Sequence, residues 1–357
     1  MTTLWLTLAA VFMFALTARY FSTSSITIPA SVSPNKIFVL LTALVISMVS
    51  GLRNNIGDTY FYMHSFIISD FSWSSILQQR DIGFNIFEKI LKSYTDDPQI
   101  LILVTALITN VLIVMVLYKY SRLFELGIYI YITSGAFIVS MNGIRQYLAA
   151  AIVFAATKYV FNGSWRRYIA VVLFASVFHQ SALIMIPIYF IVRREAWTRT
   201  TYFLLSVAVL IVFGFNQFSS ILFSALKDTQ YGEYQSFSEG GANIIRVVFY
   251  GLPLVIAFLG RIKLRNLFPK IDIVVNLSLI GLVLMMISTQ NWIFARLAIY
   301  FSLYQILLYS WIIKAFRKKD QKLIYIIILI VYFIYSFYEN VLMLDIRYQS
   351  DYLTWFL

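Results

Sequence analysis

The chain has 357 residues, of which 61% are hydrophobic and 12% charged. Soluble domains carry about 25% charged residues, so this composition excludes a soluble enzyme and points to an all-α, polytopic helix bundle in a membrane. The net charge of +12 suggests nucleic acid or acidic lipid as a partner, to be decided by where the charge sits, and the absence of cysteine excludes a disulfide framework, a thiolate metal site and a cysteine nucleophile.

In chain order, apolar segments fall at 3–18, 37–52, 99–117, 127–141, 146–161, 168–192, 201–224, 244–260, 271–289, 295–313 and 323–343. They are too long and too uniform for the alternating strands of a membrane barrel. Met1 to Ala18 lacks a basic leading region and reads as a first transmembrane helix. The spacing predicts about ten transmembrane helices in one integral membrane domain spanning 1–357.

Basic residues sort the loops. Lys119 and Arg122, Lys158 with Arg166 and Arg167, Arg193 to Arg199, Arg261 to Lys270, and Lys314 to Lys322 hold most of the Lys and Arg. The positive-inside rule places these loops in the cytoplasm. The charge excess is therefore a topology signal, and no nucleic acid is expected as a partner.

Both loops flanking 168–192 then fall on the cytoplasmic side. A single crossing is incompatible with that, and about twenty-five residues at 1.5 Å each are too few for two full crossings. A re-entrant hairpin turning near His179-Gln180-Ser181 reconciles these facts; the alternative is one long helix with a misassigned loop. The loop 53–98 comes out external, with amphipathic helices expected near Phe71–Leu77 and Gly83–Leu91. A second external loop, 225–243, is polar and suited to act as a lid.

Three helix starts carry an arginine at the membrane edge: Asn142-Gly143-Ile144-Arg145, Asn243-Ile244-Ile245-Arg246, and Asn291 followed by Arg296. A charge at that depth is costly and marks a functional site by default. An asparagine caps the free backbone donors, and the helix start adds about half a positive charge to each guanidinium. Three such ends converging on the external face suit a multiply charged anion such as a pyrophosphate. The competing explanation is that the arginines only anchor helix ends at lipid headgroups. The stretch Arg53 to Tyr62, with Asp58, Tyr60 and Tyr62, offers a carboxylate and aromatic faces suited to a sugar. His179 lies amid apolar residues, as a hydrogen-bonded structural histidine or as a proton-transfer group. Two histidines far apart give no metal-ligand spacing, so neither a metal nor another cofactor is expected.

These residues resemble the EpsG family of polysaccharide polymerases, the Wzy-type enzymes. The resemblance rests on Arg53-x-x-x-Gly57-Asp58-x-x-x-Tyr62, Asp81-Ile82-Gly83-Phe84, Asn142-Gly143-Ile144-Arg145-Gln146, Phe178-His179-Gln180-Ser181-Ala182-Leu183 and Arg296-x-x-x-Tyr300-Phe301. Asp81 departs from it, since a glutamate is expected there. The resemblance implies transfer of a growing glycan between undecaprenyl-pyrophosphate carriers, which serve as donor and acceptor, at the outer face of the bacterial cytoplasmic membrane. It also implies a chain-length regulator and a flippase as partners. On that footing Arg145, Arg246 and Arg296, aided by Arg53, bind pyrophosphate. Asp58 or His179 acts as base, and Asn142, Gln146, Tyr60, Tyr62 and Tyr300 hold substrate. A ligase or other lipid-phosphate glycosyltransferase shares this logic but makes a single transfer. A flippase would show paired broken helices in two related halves.

Overall fold

The computed structural model describes residues 1–24, 32–226 and 240–354, which are almost entirely helical. Helix α1 (Thr2–Tyr20) leads through a two-residue antiparallel ladder, Thr23–Ser24 with Val32–Ser33, into α2 (Lys36–Gly51). Asn35 caps α2 by accepting the Ile37 N–H at 3.0 Å. Three short helices follow, α3 (Thr59–Ile68), α4 (Trp73–Gln78) and α5 (Ile82–Lys92). Together they cover one end of the bundle, here the cap end. The last two correspond to the amphipathic helices expected from sequence.

Helix α6 (Gln99–Tyr120) packs along α2. Beyond it lie α7 (Phe124–Thr133) and α8 (Ala136–Asn142), bent by 56° across Gly135, whose φ of +84° is a conformation that glycine adopts without strain. Helices α9 (Ile144–Ala155) and α10 (Thr157–Asn162) complete a segment expected to be one helix. The break is satisfied locally, because the Thr157 hydroxyl meets the Phe154 carbonyl at 2.5 Å and the Tyr304 hydroxyl at 3.1 Å.

The 168–192 segment is a hairpin. Helix α11 (Trp165–Ser176) rises, His179 is extended, a 3₁₀ turn covers Gln180–Ile184, and α12 (Met185–Val192) returns. Arg193 at its end donates to the Val160 carbonyl at 2.6 Å, beside the point where the segment began. At 1.5 Å per residue α11 is about 18 Å long and α12 about 12 Å, both short of a roughly 30 Å hydrocarbon layer.

The rest comprises α13 (Arg199–Phe213), α14 (Phe215–Leu226), α15 (Ile244–Leu259), α16 (Arg261–Leu267), α17 (Ile271–Ser288), α18 (Ile293–Ile312) and α19 (Gln321–Phe337). A π-helical turn, Tyr338–Met343, extends α19. All of α7 and nearly all of α18 are buried, and the core is built around them. Among the described residues five helices are long and apolar enough to cross a membrane, or up to eight if each of three bent pairs counts as one span, by length and composition. That is fewer than the ten or so expected, because α2 has 16 residues and segments such as 146–161 break into shorter helices. The lid expected at 225–243 lies, over 227–239, outside the described residues.

Candidate functional site

The starts of α9, α15 and α18 meet at the cap end. The Gln146 side chain on α9 donates to the Arg296 carbonyl on α18 at 2.9 Å, tying two of them together. Asn243 caps α15 as expected, accepting the Ile245 N–H at 2.9 Å, and Asn291 accepts the Ile293 N–H at 3.0 Å. Asn142 does not cap α9. Gly143 takes that position, and the Asn142 carboxamide accepts the Asp58 N–H at 3.0 Å instead. The turn at Gly57 allows this approach: with φ at +56° a Cβ there would collide with Asn142.

A cavity of about 450 Å³ opens among these helices. Its polar side holds Asn142, Arg246, Arg296 and Glu339, and tyrosines such as Tyr250, Tyr332 and Tyr335 line its wall. It reaches Tyr309, thirteen residues from Arg296 along α18, a depth of about 20 Å. There the Tyr332 hydroxyl donates to Tyr309 at 2.6 Å. Aromatic faces combined with amide and charged groups suit a sugar or a phosphate bearing one.

The three arginines are not equivalent. Arg246 is paired with Glu339, donating through Nε at 2.6 Å and again through Nη2. Arg145 pairs with Asp81 at 3.3 Å, lies over the rings of Tyr62 and Phe84, and is not among the cavity-lining residues. Arg296 rests on the Trp292 ring at 4.6 Å and, among the described residues, has no carboxylate partner. Three unopposed guanidinium groups are therefore not what faces the cavity. Two carry their own counter-ion, and Arg296 is available to an anion.

Arg53 lies elsewhere. It is fully buried, donating to the carbonyls of Ser50 and Met141 and to the Thr59 hydroxyl at 3.0 Å. All its donor edges face protein, so it fastens the end of α2 to the end of α8. Tyr60 is 65% exposed and stacks on His64, away from the cavity. Tyr62 approaches Arg145 through its hydroxyl at 3.5 Å. The Asp58 backbone is held by Asn142, but Asp58 does not line the cavity.

His179 belongs to a chain of hydrogen bonds behind Arg296. Its Nδ1 accepts the Ser181 N–H at 3.3 Å and meets the Ser181 hydroxyl at 2.7 Å. Accepting at Nδ1 assigns the proton of the neutral ring to Nε2. Ser181 Oγ then accepts from Tyr300 at 2.8 Å and from Gln146 at 3.3 Å. Asp81 closes this side by accepting the Gln180 N–H at 3.2 Å, and Gly83 N–H donates to the Val177 carbonyl at 2.8 Å. Burial pushes the Asp81 carboxyl up, with the Arg145 charge opposing. Burial likewise pushes Glu88, further along α5, up to about 7.

Two residues were missed by sequence reasoning. Asp81 was noticed only as a departure from the family pattern. Glu339 carried a usable signal, because it lies inside the apolar run 323–343, where an ionisable group is itself a flag.

Neither a curated protein nor a solved structure is significantly similar to the chain. The EpsG family model, in contrast, matches residues 36–350, which take in the cap helices, the hairpin and every residue of the cavity. With almost the whole bundle inside that match, the chain belongs to the EpsG family, the family of Wzy-type polysaccharide polymerases.

Proposed function

We propose that the protein joins oligosaccharide repeat units carried on undecaprenyl pyrophosphate, at the outer face of the bacterial cytoplasmic membrane. The growing glycan leaves one carrier and is received by the terminal sugar of another. The observation that carries this reading is Arg296: a cation at a helix start, without an acidic partner among the described residues, on the wall of a tyrosine-lined cavity.

Leaving-group departure builds negative charge on the pyrophosphate oxygen. A cation held in place beforehand stabilises that charge without having to reorganise as it develops. Arg296 takes this role, with the N-terminus of α18 behind it. The Gln146–Ser181–His179–Tyr300 chain fixes the backbone at Arg296 and supplies an Nε2–H donor from His179. Arg145 with Asp81 and Tyr62 forms the second edge, towards the α3–α5 cap, where the acceptor glycan is placed. Asn142 orients a sugar hydroxyl at the cavity mouth. Neither a nucleotide sugar nor a covalent enzyme intermediate is required by this displacement. A chain-length regulator and a flippase are the partners such an activity needs.

The test is a glycan ladder from a strain lacking the gene, complemented with wild type or Arg296→Ala at equal membrane abundance. Wild type restores a ladder of many repeats, and Arg296→Ala leaves single repeats. A single band of fixed length with wild type would instead assign a ligase.

A further inference from the structure

Glu339 is 4% exposed and lines the cavity, the sole acidic residue among the described ones to do so. Its position is unfavourable twice over. It stands at the C-terminal end of α19, where the helix dipole disfavours an anion. Only Oε1 is engaged, by Arg246, while Oε2 is buried without a hydrogen-bond partner. A buried acceptor left empty is destabilising, and such an atom in a cavity calls for a donor from outside the chain. The backbone here is also specialised: Leu344 N–H bonds the Glu339 carbonyl at 3.1 Å, five residues on, in a π-turn of the kind concentrated at functional sites.

The other acids at this end are placed differently. Both oxygens of Asp81 are taken, by Arg145 and by Gln180 N–H. Asp58 and Glu88 do not line the cavity.

We infer that Glu339 is the proton acceptor for the attacking sugar hydroxyl, held in place by Arg246; this rests on the polymerase reading above. As the hydroxyl oxygen of the acceptor bonds to the anomeric carbon of the donor, its proton passes to Glu339 Oε2. The bond from the anomeric carbon to the phosphate oxygen breaks, and its electron pair leaves with the lipid pyrophosphate at Arg296. Glu339 then releases the proton to water. Proton acceptor and anion site thus belong to different residues of one cavity, Glu339 with Arg246 and Arg296 alone, as a direct displacement requires.

Purified full-length protein in lipid nanodiscs, supplied with pyrophosphate-linked repeat units, distinguishes the possibilities. Glu339→Gln is expected to lower kcat by about 100-fold or more, the usual contribution of a general base, with KM within about threefold of wild type. Glu339→Asp keeps the charge for Arg246 but draws the carboxylate back, and is expected to lose about tenfold in kcat with KM unchanged. If Glu339→Gln does not fold, Glu339→Asp decides alone. A kcat for Glu339→Asp within about twofold of wild type, or a loss confined to KM in either variant, would overturn the assignment and leave Glu339 as a structural counter-ion. If wild type itself makes no chains from these substrates, the polymerase reading fails and the inference goes with it.

Discussion

Arg53 and Arg296 both stand at the cap end, each next to a helix terminus, and their surroundings differ in one respect. Around Arg53 the chain supplies every acceptor: two carbonyls and a hydroxyl, with no exposed surface left. Around Arg296 it supplies an aromatic face and a cavity, and no carboxylate among the described residues. A guanidinium needs partners wherever water is scarce. Where protein provides them the arginine holds the fold, whereas Arg296 is exposed and keeps its donors open to solvent or to a ligand. Arg246 and Arg145 fall between, each balanced by one acid.

Substitutions at the two positions should therefore fail in different ways. The largest effect is expected at Arg296→Ala: loss of chain elongation by about 100-fold or more, at unchanged membrane abundance and thermal stability. Arg53→Ala should act in reverse order. Stripping the Ser50 and Met141 carbonyls of their donor costs on the order of 2–5 kcal/mol, read as lower abundance and melting temperature, with activity per folded molecule largely kept. A stable Arg53→Ala protein that makes no chains would move Arg53 into the site and erase the contrast.

Arg145→Ala tests the intermediate class. It removes the charge opposite Asp81 and the cation over Tyr62 and Phe84, and chain formation should fall strongly while the protein still reaches the membrane. Full activity would show that the α3–α5 edge is scaffold. Gly57→Ala should have a smaller effect, of order 1–2 kcal/mol in stability, because a Cβ at positive φ also pushes Asn142 off the Asp58 N–H.

The smallest effect concerns pH. Glu88 has its carboxyl raised from 4.5 to about 7 by burial, with Arg145 opposing. Between those values the folded protein holds a proton that the unfolded chain releases, so stability falls as pH rises through that window. Glu88→Gln should flatten this decline in melting curves taken across it. An unchanged slope would place the titration elsewhere.

Much of this arrangement was legible in the sequence because it follows from charge and length. The hairpin 168–192 followed from basic loops on both sides of a segment too short for two crossings, and Arg193 against Val160 closes it. The arginine-bearing starts of α15 and α18 followed from Asn243, which caps α15 as expected, and Asn291, which accepts the Ile293 N–H although Trp292 takes the cap position. What sequence could not supply was pairing. Nothing local to Arg246 reveals that Glu339, 93 residues away, neutralises it, or that Arg53 spends its donors on Met141, 88 residues away. Asn142 was misread for a related reason: its pattern matches a cap, but Gly57 brings Asp58 close enough to take its side chain. The excess in counted spans arose because apolar runs report hydrophobicity and not continuity, and 146–161 breaks where Thr157 satisfies the freed carbonyl.

The most direct test is the surface glycan of a deletion strain carrying wild type or Arg296→Ala, with both proteins at equal membrane abundance. The cavity account predicts a ladder of many repeats from wild type and single repeats from Arg296→Ala. An undiminished ladder from Arg296→Ala would contradict it, as would a deletion strain that lacks surface glycan altogether while carrier-linked repeats accumulate inside.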